Sequence, residues 1–297
     1  MNKRIRAHLF LLIVNVIYGA NYTIAKNLMR EYIQPKGFIL LRVIGATTLF
    51  VLISPFFKKE RIQKKDVPLL ALCGLFGVAI NQLLFFKGLS LTGVINASLI
   101  LTTNPMLVLM MAALLLKERI TKWKIGGILA GASGAILLIL FSNHSDDGKH
   151  ALAGDVCIFL NAFFYAVYIV LVKPLMIKYH PVTVIKWVFI FGLPVVTVFG
   201  YGELSEVQWH TFNANTWMGV SFVVIGSTFI AYLFNIIALK DVSPEVVSIY
   251  IYVQPIIATA VSLSVNHESL TMVQVAASIL IFTGVYLVSA PMEKRRI

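Results

Sequence analysis

Charged residues are scarce in this sequence: only 13% of its 297 residues are Asp, Glu, Lys or Arg, about half the share found in a soluble domain. Acids are the scarcer sign, 13 against 25 bases, which leaves a formal charge of +12. The only two cysteines, Cys73 and Cys157, lie inside apolar runs. No disulfide framework is implied, and close packing is their expected role. The six histidines, His8, His144, His150, His180, His210 and His267, fall at predicted helix ends or in loops without the spacing of metal ligands, so no metal or other cofactor is implied. No nucleophile is paired with a base, which counts against an enzyme, and no GxxxxGK[ST] loop is present to cradle a nucleotide phosphate. Short segments of alternating polarity are also lacking: Ala112–Leu116 and Ile136–Leu140 are continuously apolar, unlike the strands of a membrane β-barrel.

What the chain has instead is apolar length, with 59% of its residues hydrophobic. Apolar runs fall at about 8–27, 36–57, 67–89, 93–116, 122–141, 153–172, 181–201, 216–239, 244–265 and 271–290, each long enough to cross ~30 Å of hydrocarbon. In lipid, helices and closed barrels alone satisfy the backbone. The expected fold is therefore an all-α integral membrane protein of ten transmembrane helices, numbered here 1 to 10, with the lipid bilayer as its partner. The start of the chain, Lys3, Arg4 and Arg6 before a run from His8, looks like a signal peptide, but Asn15, Asn21 and Lys26 interrupt the run and no small-x-small site follows. We expect a retained first helix.

Basic residues flanking helices tend to stay in the cytoplasm. With the amino terminus inside, 19 of the 25 bases fall on cytoplasmic stretches, such as Lys58, Lys59, Arg61, Lys64 and Lys65; five, Lys26, Arg30, Lys36, Lys87 and Lys149, fall opposite, and Arg42 lies within a helix. Both termini are therefore expected in the cytoplasm of a bacterial inner membrane. The positive charge reports topology and anionic headgroups, and because it is spread over short loops no nucleic-acid partner is implied.

An offset of 150 residues superposes the second half on the first from helix 3 into helix 5, pairing Leu83/Leu233, Leu89/Leu239, Ser98/Ser248, Pro105/Pro255, Glu118/Glu268, Thr121/Thr271, Gly134/Gly284 and Leu137/Leu287. Helices 1 and 6 align with an offset of 147, pairing Tyr18/Tyr165 and Lys26/Lys173. Residues 1–145 and 146–297 thus read as two five-helix repeats, and because five is odd the second is inverted in the membrane.

The motifs Tyr18-Gly19-Ala20-Asn21-Tyr22, Leu41-Arg42, Pro105, Leu116-Lys117-Glu118-Arg119-Ile120-Thr121 and Gly126-Gly127 in the first repeat resemble the drug/metabolite transporter superfamily. So do Gly154-Asp155, Tyr165-Ala166, Pro255 and Glu268-Ser269-Leu270-Thr271 in the second. Their order and spacing point in particular to the EamA branch of ten-helix bacterial exporters. The resemblance implies that helices 3, 4, 8 and 9 line a central pathway, that 1, 2, 6 and 7 support it, and that 5 and 10 pack outside.

Proline within a helix removes a hydrogen bond and frees a carbonyl, so Pro105 and Pro255 are expected to kink helices 4 and 9 at the pathway. The polar residues near them make the candidate substrate pocket: Asn81 and Gln82 on helix 3, Ser98, Thr102, Thr103 and Asn104 on helix 4, Ser227, Thr228, Tyr232 and Asn235 on helix 8, and Tyr250, Tyr252 and Gln254 on helix 9. With Phe85 and Phe86 nearby, that lining is neutral and aromatic and suits a small molecule with an apolar body and a few polar groups. Some of these residues are expected only to bond helix to helix.

Arg42 is the charge deep in an apolar run, where insertion costs ~2.5–3.5 kcal/mol, and no acid is placed at matching depth. Either it snorkels outward or bonds a neighbouring helix end, as a supporting helix 2 would suggest, or it meets a substrate carboxylate. Glu118 and Glu268 precede Thr121 and Thr271, expected N-caps of helices 5 and 10, and Thr271-Met272-Val273-Gln274 fits a capping box. Gly127, Ala130, Gly131 and Gly134 give helix 5 a small-residue face for a neighbour or a second protomer, so that a homodimer would form through helix 5 or helix 10. The expected function is a secondary transporter, an exporter of amino acids or similar metabolites by alternating access. A passive channel or facilitator and an intramembrane enzyme are the alternatives.

Overall fold

The computed structural model describes residues 3–57, 60–116, 121–141, 148–239, 242, 250–265 and 270–289. Among the described residues there is no strand. Ten helical spans follow in order: α1 (Lys3–Glu31), α2 (Pro35–Ile53), α3 (Val67–Gly74, Leu75–Ile80 and Asn81–Leu91), α4 (Val94–Leu101 and Asn104–Leu116) and α5 (Lys122–Phe141). The second half holds α6 (Gly148–Lys178), α7 (Pro181–Ser205), α8 (Ala214–Ser221, Phe222–Ile230 and Ala231–Leu239), α9 (Val253–Val265) and α10 (Met272–Ser289). By length and composition 8 spans can cross a membrane, and α9 and α10 are shorter apolar helices. Large apolar side chains such as Leu129, Leu140, Val198 and Ile279 are more than half exposed, as expected where lipid is the solvent. We call the end where α1 begins the near end and the end where it stops the far end.

The predicted spans and the observed helices agree most closely at α5 and least at α6, which starts five residues before the predicted 153 and continues through Pro174 to Lys178. Lys173 and Lys178 lie in its last two turns, where long aliphatic stems let ammonium groups reach out of an apolar layer. Asp155 consequently lies about two turns inside the helix and is completely buried.

The principal packing has a two-fold pattern. Helix α1 packs on α8 and α9, and α6 on α3 and α4; α2 packs on α8, and α7 on α3; α2 meets α7, α4 meets α9 and α5 meets α10. Exchanging every helix for the one five positions away leaves this set unchanged. The residues at the contacts follow the same operation. A Cβ on Gly88 of α3 would lie 2.8 Å from the carbonyl oxygen of Gly154 on α6, and the reverse distance is 2.9 Å, so only glycine permits this approach. The two repeat offsets carry that pair to Ala238 and Ala7, both buried in one small cluster between α8 and α1.

Helices α2 and α7 cap one another. Glu203, in the last turn of α7, accepts hydrogen bonds from the backbone N–H groups of Lys36 and Gly37 at the start of α2, at 2.6 and 3.0 Å. Glu60, just beyond α2, accepts from the N–H of His180 before α7 at 2.6 Å. Each carboxylate satisfies amides that a helix start leaves without partners and meets the positive end of the dipole. At the near end Lys178 pairs with Asp66, whose carboxylate also accepts from the Tyr179 hydroxyl at 2.6 Å.

The small-residue face of α5 is occupied within the chain. A Cβ on Gly127 would come 2.5 Å from the carbonyl oxygen of Gly284 on α10, and one on Gly134 would come 2.8 Å from that of Ala277.

Candidate functional site

The helical hydrogen-bond pattern is interrupted in α3, α4, α8 and α9, at positions related by the repeat. Leu75–Ile80 of α3 is a π-helical segment, and the 150-residue offset lays it on 225–230, inside the π-helical Phe222–Ile230 of α8. Helix α4 breaks at Thr102–Thr103 and α9 is preceded by a turn at Ile251–Tyr252, in each case just before the proline, Pro105 or Pro255. Side chains satisfy carbonyls at these points. The hydroxyls of Thr102 and Thr103 donate to the carbonyls of Leu99 and Ile100 at 2.6 and 2.7 Å. Those of Ser227 and Thr228 donate to the carbonyl of Val223 at 2.8 and 3.0 Å. Wide turns and broken helices in a membrane bundle are tolerated where protein or a polar cavity receives the displaced backbone, and they mark functional positions.

Between these segments lies a polar centre built on Arg42. Its side chain turns inward rather than toward either surface and is 6% exposed. The Nε donates to Thr228 Oγ1 at 2.5 Å and Nη1 to Gln82 Oε1 at 2.6 Å, with the guanidinium 5.2 Å from the centre of the Phe86 ring. Gln82 donates to Asn81 Oδ1 at 3.2 Å. Asn81 and Asn161 of α6 exchange bonds with each other's backbone carbonyls, at 3.1 and 2.8 Å. Tyr18 of α1 lies close to Asn235, Tyr165, Tyr232 and Arg42. The Tyr232 ring packs edge-on against Phe189 at 5.8 Å.

Of the residues singled out from the sequence, Asn81, Gln82, Thr228, Tyr232 and Asn235 come together at this centre. Ser98, Thr102 and Ser227 are buried and spend their hydroxyls on their own helices. Among the described residues the buried Oδ1 of Asn104 has no partner. Gln254 bonds Asn15 of α1 at 2.8 Å, Tyr250 meets His8 at 2.9 Å toward the near end, and Tyr252 stacks edge-on with Phe282. Glu118 and Glu268 lie outside the described residues. Thr271 makes both bonds of a capping box with Gln274, at 2.9 and 3.2 Å. Thr121 does not do so: among the described residues its buried hydroxyl has no partner, and Lys124, which stands where Gln274 stands in α10, has no side-chain acceptor for the Thr121 N–H.

The sequence reading missed the contributions of α1 and α6. Tyr18 and Tyr165 already stood out as a repeat-related pair, which was the available signal. At the far end a second polar group ties four helices together. Asp155 accepts from the Thr92 hydroxyl and from Asn96 at 3.2 Å; Gln274 of α10 donates to Asn96 at 2.7 Å; and Lys26 of α1 donates to the Thr92 carbonyl at 2.6 Å. The misplaced start of helix 6 concealed this acid.

A profile described as the EamA-like transporter family matches the chain twice, over residues 5–140 and 152–290. The chain belongs to the EamA-like transporter family. Its two matches fall on the two halves that the packing relates. The chain is similar to the uncharacterized transporter YyaM of Bacillus subtilis, with 24% identity over 97% of this chain and 94% of that protein. It is also similar to an uncharacterized transporter of Archaeoglobus fulgidus, at 26% over 91% and 94%, and to the WAT1-related protein At3g53210 of Arabidopsis thaliana, at 23% over 96% and 86%. A solved crystal structure superposes with a TM-score of 0.62 over 96% of each chain at 18% identity, which shows the fold alone. This member of the EamA-like family is thus a multi-pass membrane transporter.

Proposed function

We propose that the protein is a secondary transporter that exports amino acids or related small metabolites by alternating access, with Arg42 and its neighbours at the centre of the pathway. The observation that carries this reading is the repeat-related set of interruptions in α3, α4, α8 and α9 around one polar centre. Broken helices at the midplane of two inverted repeats give each half a bending point against a fixed site, so that one end opens as the other closes. The far end is tied by the Asp155 group and the near end by the His8–Tyr250 contact in the same structure, and alternating access requires that the two are never released together. On this reading the chain lies in the bacterial inner membrane with both termini in the cytoplasm, which the distribution of its basic residues supports. Proteoliposomes loaded with amino acids and related metabolites, assayed for counterflow with and without a pH gradient, test the reading. Saturable exchange of one such compound is the expected outcome. A non-saturable conductance would instead make the protein a passive channel.

A further inference from the structure

Arg42 carries the only charge in the polar centre described above, and every bond it makes is to a neutral group. Its partners are the Thr228 hydroxyl and the Gln82 amide oxygen, and Tyr18 and Tyr232 lie close to it. Among the described residues no carboxylate reaches it. A guanidinium presents five N–H donors in a planar fork. Two are used, one on Nε and one on Nη1, so one on Nη1 and both on Nη2 have no protein acceptor among the described residues. The Nη1–Nη2 edge, whose parallel donors match the two oxygens of a carboxylate, is thus the less occupied side.

The surroundings hold the guanidinium in place. Thr228 belongs to the π-helical segment of α8, Gln82 is the second residue after that of α3, and the Phe86 face supports the cation from a third direction. A buried cation in an apolar layer is costly unless something compensates it. Here the fold supplies hydrogen-bond acceptors and an aromatic face but, among the described residues, no counter-charge. The tyrosines beside it, Tyr18 and Tyr232, offer hydroxyls and ring surface and no acid.

Resting on the reading as a transporter, we propose that Arg42 is a carboxylate-binding subsite within the transport pathway, and that the cargo is a small carboxylate-bearing molecule with an apolar body. The carboxylate completes the fork of Arg42, and the tyrosine rings accept the apolar part.

The test uses pairs of probes that differ only in charge at the carboxyl group: benzoate and benzamide, L-leucine and L-leucinamide, L-phenylalanine and L-phenylalaninamide. The purified full chain is assayed for thermal stabilisation in detergent and for counterflow in proteoliposomes, as wild type, Arg42→Gln and Arg42→Lys. We expect at least one carboxylate to bind the wild type roughly ten- to hundredfold more tightly than its amide, the range of a charge-assisted pair. Arg42→Gln should abolish that preference, and Arg42→Lys should retain part of it. Carboxylates that stabilise the wild type without any counterflow would uphold the subsite and sink the transporter reading. Exchange of amides as fast as of their acids, or no stabilisation of the wild type by any carboxylate, would overturn the subsite and leave transport standing. The wild-type comparison decides even if Arg42→Gln does not fold.

Discussion

Thr121 and Thr271 occupy equivalent places at the start of α5 and α10, yet only Thr271 has its hydroxyl bonded, through the capping box with Gln274. Replacing Thr271 by Ala is therefore expected to destabilise the protein by about 1 kcal/mol, the worth of a side-chain cap. Replacing Thr121 by Ala should change little. Thermal unfolding in detergent measures both, and equal losses would mean that the bonds seen at Thr271 contribute nothing. A second contrast lies two residues into the face that α5 turns to α10. Gly127→Leu must push a Cβ to within 2.5 Å of the Gly284 carbonyl oxygen, whereas Gly126 has no atom within 4 Å of its Cβ position. Overpacking of this kind costs about 1–3 kcal/mol or more, so Gly127→Leu should lower the yield of monodisperse protein and its melting temperature. Gly126→Ala should be neutral or, by helix propensity, slightly stabilising. The small-residue pattern in the sequence holds Gly127 with Gly131 and Gly134. What spacing alone does not fix is which neighbour that face meets, α10 of the same chain or a second protomer.

The breaks in α4 and α9 place a hinge beside the polar centre without placing the prolines in contact with it. Pro105→Ala or Pro255→Ala would restore a backbone donor and favour a continuous helix. We expect either variant to insert and fold while exchanging cargo roughly tenfold more slowly, as hinge changes do. Wild-type rates in both would make the kinks tolerated packing features. The prolines, the repeat and nearly every span are legible in the sequence because hydropathy, proline and charge are local signals. The π-helical segments are not, since Leu75–Ile80 and Phe222–Ile230 read as ordinary apolar helix and their widening arises from packing against the rest of the bundle. Arg42 was legible as an anomaly, but its direction was not, because inward bonding depends on Thr228, which lies 186 residues away in the chain. Helix 6 shows the cost of a boundary error: the predicted start at 153 leaves Asp155 two residues from the helix end, whereas it lies seven residues inside the helix and is fully buried.

At the scale of the whole molecule, the two-fold pattern of helix contacts requires the loops to alternate between the two membrane faces. Cysteines introduced at Gln63 and Gln208, both exposed in loops at opposite ends, should differ in labelling by an impermeant thiol reagent on intact cells once Cys73 and Cys157 are replaced. With cytoplasmic termini only the Gln208 site reacts, and equal reaction at both would contradict the inverted arrangement. The mutual capping of α2 and α7 also has a consequence in time. The cap for the start of α7 is made early, because Glu60 precedes His180 in the chain by 120 residues. The cap for the start of α2 is late: Glu203 follows Lys36 by 167 residues, which at ribosomal speed amounts to about 8 to 30 s of synthesis. During that interval the amides at the start of α2 wait at the membrane surface for a partner that has yet to leave the ribosome, so the first half of the protein is chemically complete only once synthesis of the second has passed the end of α7.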